Sequence, residues 1–305
     1  MRFMMIVKGD EKSEAGILPD EKLLSAMGAY NDELIRAGVM VGGEGLHPSS
    51  KGWRIERKKG ALKVMDGPFA ESKELIAGYW ILDVASREEA VAWAKKVPCI
   101  EGDLEVRQIV ELDDFPVHPS EKPDGWRAQE QRFRDSVNPK SPKFAPPKRI
   151  PGTTRYLVIH LSNPQAEASL TLPDPQAMND MFEAMWNILQ ERADHGALLG
   201  CDGLHPSSNG FRVRAKGTSR TIIDGPFAES KELVAGFSMI QAKTKDEAIA
   251  FAKRCCLPEF TDPTFDGVIE IRQLHETEEF PVDPAEKKDG WRAKELAFRD
   301  RTQGK

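Results

Sequence analysis

The stretch from Asp66 to Gly78, DGPFAESKELIAG, returns from Asp224 to Gly236 as DGPFAESKELVAG, with only Ile76 and Val234 differing. A signature of this length carried twice constrains the chain to two similar units, because each copy needs the same flanking elements to be useful. Strand-like runs precede the copies (Leu62 to Met65; Thr221 to Ile223) and follow them (Ile76 to Val84; Val234 to Ala242). Between these runs, Asp-Gly-Pro supplies a side-chain acceptor, a permissive backbone and a fixed φ, the ingredients of a tight turn. Turn chemistry does not require the charged residues beyond it. Their recurrence points either to a constrained surface or to a duplication that has had little time to diverge.

Other elements repeat in the same order. Phe3 to Lys8 reads as an apolar strand, and Pro19 to Ala37 carries apolar residues at three- and four-residue steps, which predicts a helix ended by Gly38. Val39 to Gly43 is a second strand, and Leu46-His47-Pro48-Ser49-Ser50 a loop. Trp53 to Arg57 alternates toward a turn at Lys58-Lys59-Gly60. Ser86 and Glu89 form a capping box ahead of the next helix, and Glu105-Val106-Arg107 lies on a last strand. The second half answers with strand Arg155 to Leu161, helix Pro175 to Ala193, strand Ala197 to Cys201, Leu204-His205-Pro206-Ser207-Ser208, and Glu270-Ile271-Arg272. The loop from Cys256 to Gly267 is longer than its first-half counterpart.

DGPFAESKE, set in this order of elements, resembles the DGPF-containing branch of the YCII-related family over most of each half. The resemblance implies an α+β fold: two tandem ferredoxin-like domains of the dimeric α+β barrel type, their antiparallel sheets packed as an intramolecular pseudo-dimer. The β-α-meander-α-β order independently suits a ferredoxin-like unit. Residues 1–135 and 153–305 are expected to be the two domains, each with a C-terminal helical tail, joined by a Pro-rich linker at 136–152. In each tail a Trp and a Phe stand seven residues apart (Trp126 and Phe133; Trp291 and Phe298), on one helix face that needs a surface to cover.

With 40% hydrophobic and 30% charged residues, 305 residues suffice for two ordinary domains. A net charge of −6 argues against nucleic acid as a partner, since phosphate neutralisation needs clustered Lys and Arg. No apolar run approaches a membrane span and no leader pattern is evident, so a cytoplasmic location without membrane association is expected. The cysteines Cys99, Cys201, Cys255 and Cys256 lack CxxC spacing. No HxH, HExxH or Cys/His cluster occurs, and no P-loop, so neither a metal site nor a cofactor is expected.

The residues that could carry chemistry each have two readings. Asp66 and Asp224 are turn caps, or carboxylates aimed into a cleft as general base or anchor. Glu71 and Lys73, with Glu229 and Lys231, are surface ion pairs, or a proton exchanger and an anion clamp. Arg107 and Arg272 form internal salt bridges with the Glu two residues before, or hold a ligand carboxylate bidentately. His47 and His205, the histidines repeated in register, are exposed loop residues or proton-transfer groups.

Some YCII-related proteins are similar to a dehydrochlorinase and carry a His and Asp acid-base pair, the His lying on the first helix in the small members. Neither Pro19 to Ala37 nor Pro175 to Ala193 contains a histidine, so that carry-over fails here and His47 would have to substitute from a strand end. The family's association with extracytoplasmic-function sigma factors implies an alternative, a non-enzymatic regulatory module. The expectation is therefore a protein binding a small polar or anionic molecule, with weak acid-base catalysis as its sharper form and a sigma factor or a second copy as further partners.

Overall fold

The computed structural model describes residues 1–69, 74–98, 102–115, 117, 119, 121–137, 148–168, 175–255, 267–280 and 292–297. The first half runs β1 (Arg2–Lys8), a short α1 (Glu11–Glu14), α2 (Glu21–Arg36), β2 (Met40–Gly45), β3 (Trp53–Lys58), β4 (Ala61–Asp66), β5 (Ile76–Asp83), α3 (Arg87–Lys96), β6 (Gly102–Gln108) and α4 (Trp126–Val137). The second half follows the same plan. It comprises β7 (Thr154–Ser162), α5 (Pro164–Ala168), α6 (Pro175–Asp194), β8 (Leu198–Gly203), β9 (Phe211–Lys216), β10 (Ser219–Asp224), β11 (Leu233–Ala242), α7 (Lys245–Arg254) and β12 (Gly267–Gln273).

Local chemistry sets the helix ends. Asp20 caps α2 by accepting the Leu23 N–H, and Gly38 takes φ +71° just beyond its last turn. Ser86 caps α3 by accepting the Glu89 N–H, while the Glu89 carboxylate reaches one residue beyond the cap to the Ala85 N–H, so the reciprocal bond of the expected capping box is shifted off Ser86.

Each half contributes four strands in the ferredoxin-like order, β6-β1-β5-β2 and β12-β7-β11-β8, all antiparallel. The hairpins do not stay at home. β9 and β10 extend the first sheet through β6, with Val106 opposite Phe211, whereas β3 and β4 extend the second through β12, with Ile271 opposite Trp53. Two six-stranded sheets result, each finished by a hairpin from the other half. Bridges between Leu46 and Leu274, and between Ile109 and Leu204, join the sheets at two seams.

Alternation along the strands sorts the core into three layers. Phe3, Met5, Leu104, Val106, Phe211 and Val213 pack with α2 and α3 on one side. Tyr156, Val158, Ile269 and Ile271 pack with α6 and α7 on the other. Met4, Ile6, Leu157 and Ile159 fill the space between the sheets, with Tyr79 and Phe237 rings 6.1 Å apart. The tail helix α4 lies on α6 of the other half: Trp126 stacks 4.7 Å from Phe182, and Phe133 lies 6.0 Å from Trp186. Both indoles are satisfied, Trp126 Nε1 donating to Asn179 and Trp186 Nε1 to Gln129. Among the described residues, no helix is long and apolar enough to cross a membrane.

Candidate functional site

The exchanged hairpins bring the repeated motifs together across the halves. At the first sheet, Glu105 and Arg107 of β6 are wholly buried and paired at 3.2 Å. Arg107 also donates to Glu167 of α5 at 2.9 Å and to the His205 carbonyl at 2.6 Å. Arg212, from the incoming β9, donates to Glu105 at 2.8 Å, and Lys8 Nζ lies 3.4 Å from the same carboxylate. Burial alone would push Glu105 toward its neutral form, but Lys8, Arg107 and Arg212 outweigh it and hold the carboxyl down at about 2.

The second sheet repeats the arrangement. Glu270 and Arg272 are paired at 2.9 Å, Arg272 reaches Glu14 of α1 and donates to the His47 carbonyl at 2.5 Å, and Arg54 from the incoming β3 donates to Glu270 at 2.8 Å.

This junction explains the Gly and the Phe of the DGPF letters. The Phe227 ring lies beneath Arg212, 4.0 Å from centroid to guanidinium carbon, and Phe69 beneath Arg54 at 4.4 Å. A Cβ on Gly67 would stand 1.8 Å from the Ser49 carbonyl oxygen, and one on Gly225 1.8 Å from that of Ser207, so only glycine fits. The Phe69 and Phe227 N–H groups donate to the hydroxyls of Ser49 and Ser207, which themselves donate to Glu14 and Glu167.

Asp66 and Asp224, by contrast, face outward, 73% and 71% exposed, and pair with Lys245 and Arg87 on helices of the other half. His47 and His205 belong to the seams: His47 Nε2 lies 2.8 Å from Glu279, and His205 Nε2 lies 3.0 Å from Asp114. Burial, with His275 beside it, pushes His47 down to about 4. Glu71 and Lys73 lie outside the described residues.

Among the described residues the pseudo-symmetry breaks at two points. Leu161 stands on β7 where Lys8 stands on β1, each opposite the residue that follows the Lys-Glu-Leu of its own half's signature, Val234 and Ile76 respectively. Glu232 of the second signature clamps Arg54 with two bonds of 2.7 Å. Its counterpart Glu74 instead accepts the backbone N–H groups of Lys231 and Glu232 at 2.7 and 2.9 Å. Arg212, besides Glu105, donates to Ser230 and to Glu229, which is 66% exposed; the matching Ser72 and Glu71 lie outside the described residues.

A cleft of about 1100 Å³ opens beside this less guarded network. Lys8, Arg212 and Arg214 gather at one end of its lining with Glu229, Ser230 and Asp103, the last holding Arg214 through two bonds of 2.8 Å. Leu24, Met27, Ile35 and Trp80 supply an apolar wall. Trp80 is held by its indole N–H donating to Asn31 at 2.8 Å. Of these, Lys8, Arg212 and the guarding role of Glu232 were not singled out in the sequence. A departure from the repeat, Lys8 against Leu161, was the signal that could have found the first.

Compared with known proteins, the chain matches the profile of the YCII-related domain twice, over residues 1–113 and 154–278. It is also similar to an uncharacterized protein of Rhizobium meliloti (strain 1021), 31% identical over 93 residues that make up 30% of this chain and 75% of that protein.

Proposed function

Because the chain belongs to the YCII-related family, with one such domain in each half, we propose that it binds one small organic anion per molecule, in the cleft of the first half. The observation that carries this is the asymmetry of two otherwise matching networks. In the second, Glu232 occupies Arg54 and Leu161 removes a cation; in the first, Arg212 and Lys8 border an open cleft. A carboxylate or phosphate entering that end displaces Glu229 from Arg212 and gains a charge-assisted, partly desolvated pair. The apolar wall along α2 then takes the body of the ligand.

Acid-base catalysis by Asp66, His47 and Glu71, or by Asp224, His205 and Glu229, draws less support. The two aspartates are paired on the outer surface and the two histidines lie at the seams.

The test is a thermal-shift and calorimetric screen of aromatic and aliphatic carboxylates and phosphate esters. A single-site ligand at about 100 times its Kd adds about 2.7 kcal/mol to stability. Lys8→Leu copies the residue the second half tolerates, so it should fold and lose the shift. Glu229→Gln removes the internal competitor and should strengthen binding. If no anion stabilises the protein, or Lys8→Leu binds as the parent does, the reading fails. The regulatory alternative, a module working with an extracytoplasmic-function sigma factor, then takes its place.

A further inference from the structure

The seam at Leu46 and Leu274 holds a group of side chains with no part in the anion contacts proposed above, although His275 also lines that cleft. Its two flanking residues are histidines from opposite halves, His47 and His275, whose rings lie 3.8 Å apart, and the carboxylate of Glu279 sits against both. Glu279 Oε2 is 2.8 Å from His47 Nε2 and 3.1 Å from His275 Nδ1, and the three donor atoms all fall within 4.8 Å of one another. Although so close to a carboxylate oxygen, His47 Nε2 is buried without a hydrogen bond of acceptable direction. Buried polar atoms in that condition call for a partner.

The backbone holds the group in place. The His47 N–H donates to the Gln273 carbonyl at 2.9 Å, its own carbonyl accepts from Arg272 at 2.5 Å, and the His275 N–H donates to the Gly45 carbonyl at 2.8 Å. Glu279 ends a 3₁₀ turn, Thr277–Glu279, and also accepts the Glu276 N–H.

We propose that His47, His275 and Glu279 form a binding site for one divalent transition-metal ion, of the zinc, cobalt or nickel class, that rivets the two halves of the chain at this seam. The chemistry of the donor set fits such an ion. Two imidazoles and a carboxylate are the three-ligand set of many zinc centres, with a fourth position left for water. Bonds of about 2.0–2.2 Å in tetrahedral geometry separate ligand atoms by roughly 3.3 Å, so the close pairs here need only open by a few tenths of an ångström. The other seam is a built-in control. It keeps a His and a carboxylate, His205 and Asp114, but Val110 stands where His275 stands, each donating its N–H across the seam. One ion per chain is therefore expected, not two. Lys51 opposes binding: its ammonium lies 3.3 Å from His47 Nδ1 and must swing out as the ring takes up a cation.

The experiment uses the full chain, stripped with a chelator. Cobalt(II) titration followed by visible absorption, with zinc calorimetry, should show one site per chain and ligand-field bands of a low-coordinate nitrogen and oxygen environment. His275→Val, which copies the other seam, should weaken affinity by more than the about 10–100-fold that outer partners of a metal ligand account for. Lys51→Met, a surface change that should leave folding intact, should tighten it. Absence of the cobalt bands in the parent, retention of the ion by a folded His275→Val protein, or weaker binding by Lys51→Met would overturn the proposal. None of these readouts depends on an anion in the cleft.

Discussion

Glu105 shows how much one buried carboxylate can carry, since Lys8, Arg107 and Arg212 all converge on it. Glu105→Gln leaves those cations without their counter-charge in a site closed to water, and about 3–5 kcal/mol of stability should be lost in denaturant titrations. The sign of the pH dependence follows from the same pairing. The carboxyl is held at about 2 against an ordinary 4.5, so its stabilisation is complete above 4.5 and drains away as pH falls toward 2. Acid unfolding monitored by circular dichroism should therefore shift in Glu105→Gln, which loses this proton-linked component. Gly67→Ala provides a second residue-scale test. It drives a methyl into the Ser49 carbonyl and should lower stability by at least the roughly 1–3 kcal/mol of ordinary overpacking, whereas Gly42→Ala enters open space and should not. The Glu-x-Arg pair was legible from its spacing, because alternation puts both side chains on one face. The partners that decide its meaning, Glu167 and Arg212, come from the other half and leave no local trace.

The elements themselves were largely readable, since strand patterning, the α2 period and the Ser86 N-cap are all short-range signals. The destination of β3 and β4 was not. A hairpin satisfies one edge of each strand internally, and the sequence carries nothing to say whether Trp53 to Lys58 will seek β6 or β12. The tail helix falls between these cases. Seven-residue spacing foretold that Trp126 and Phe133 share a face, and α6 of the other half is the surface they cover. Trp126→Ala should cost about 3–5 kcal/mol, read from the thermal transition of the full chain.

For the whole molecule, exchange of hairpins means that neither half can complete its own sheet. Expressed alone, residues 1–137 should not give a stable monomer: light scattering should report dimers trading hairpins with a second copy, or aggregates led by the bare edge of β6. Adding residues 148–305 should recover a one-to-one complex, and a stable monomeric half would contradict the architecture.

The unequal guarding of Arg54 and Arg212 also bears on how such a chain can change over time. In a symmetric homodimer every substitution strikes both copies of a site at once, so closing one closes the other. Joining the copies in one chain lifts that constraint: one junction can be locked for strength while its twin stays open to select a guest.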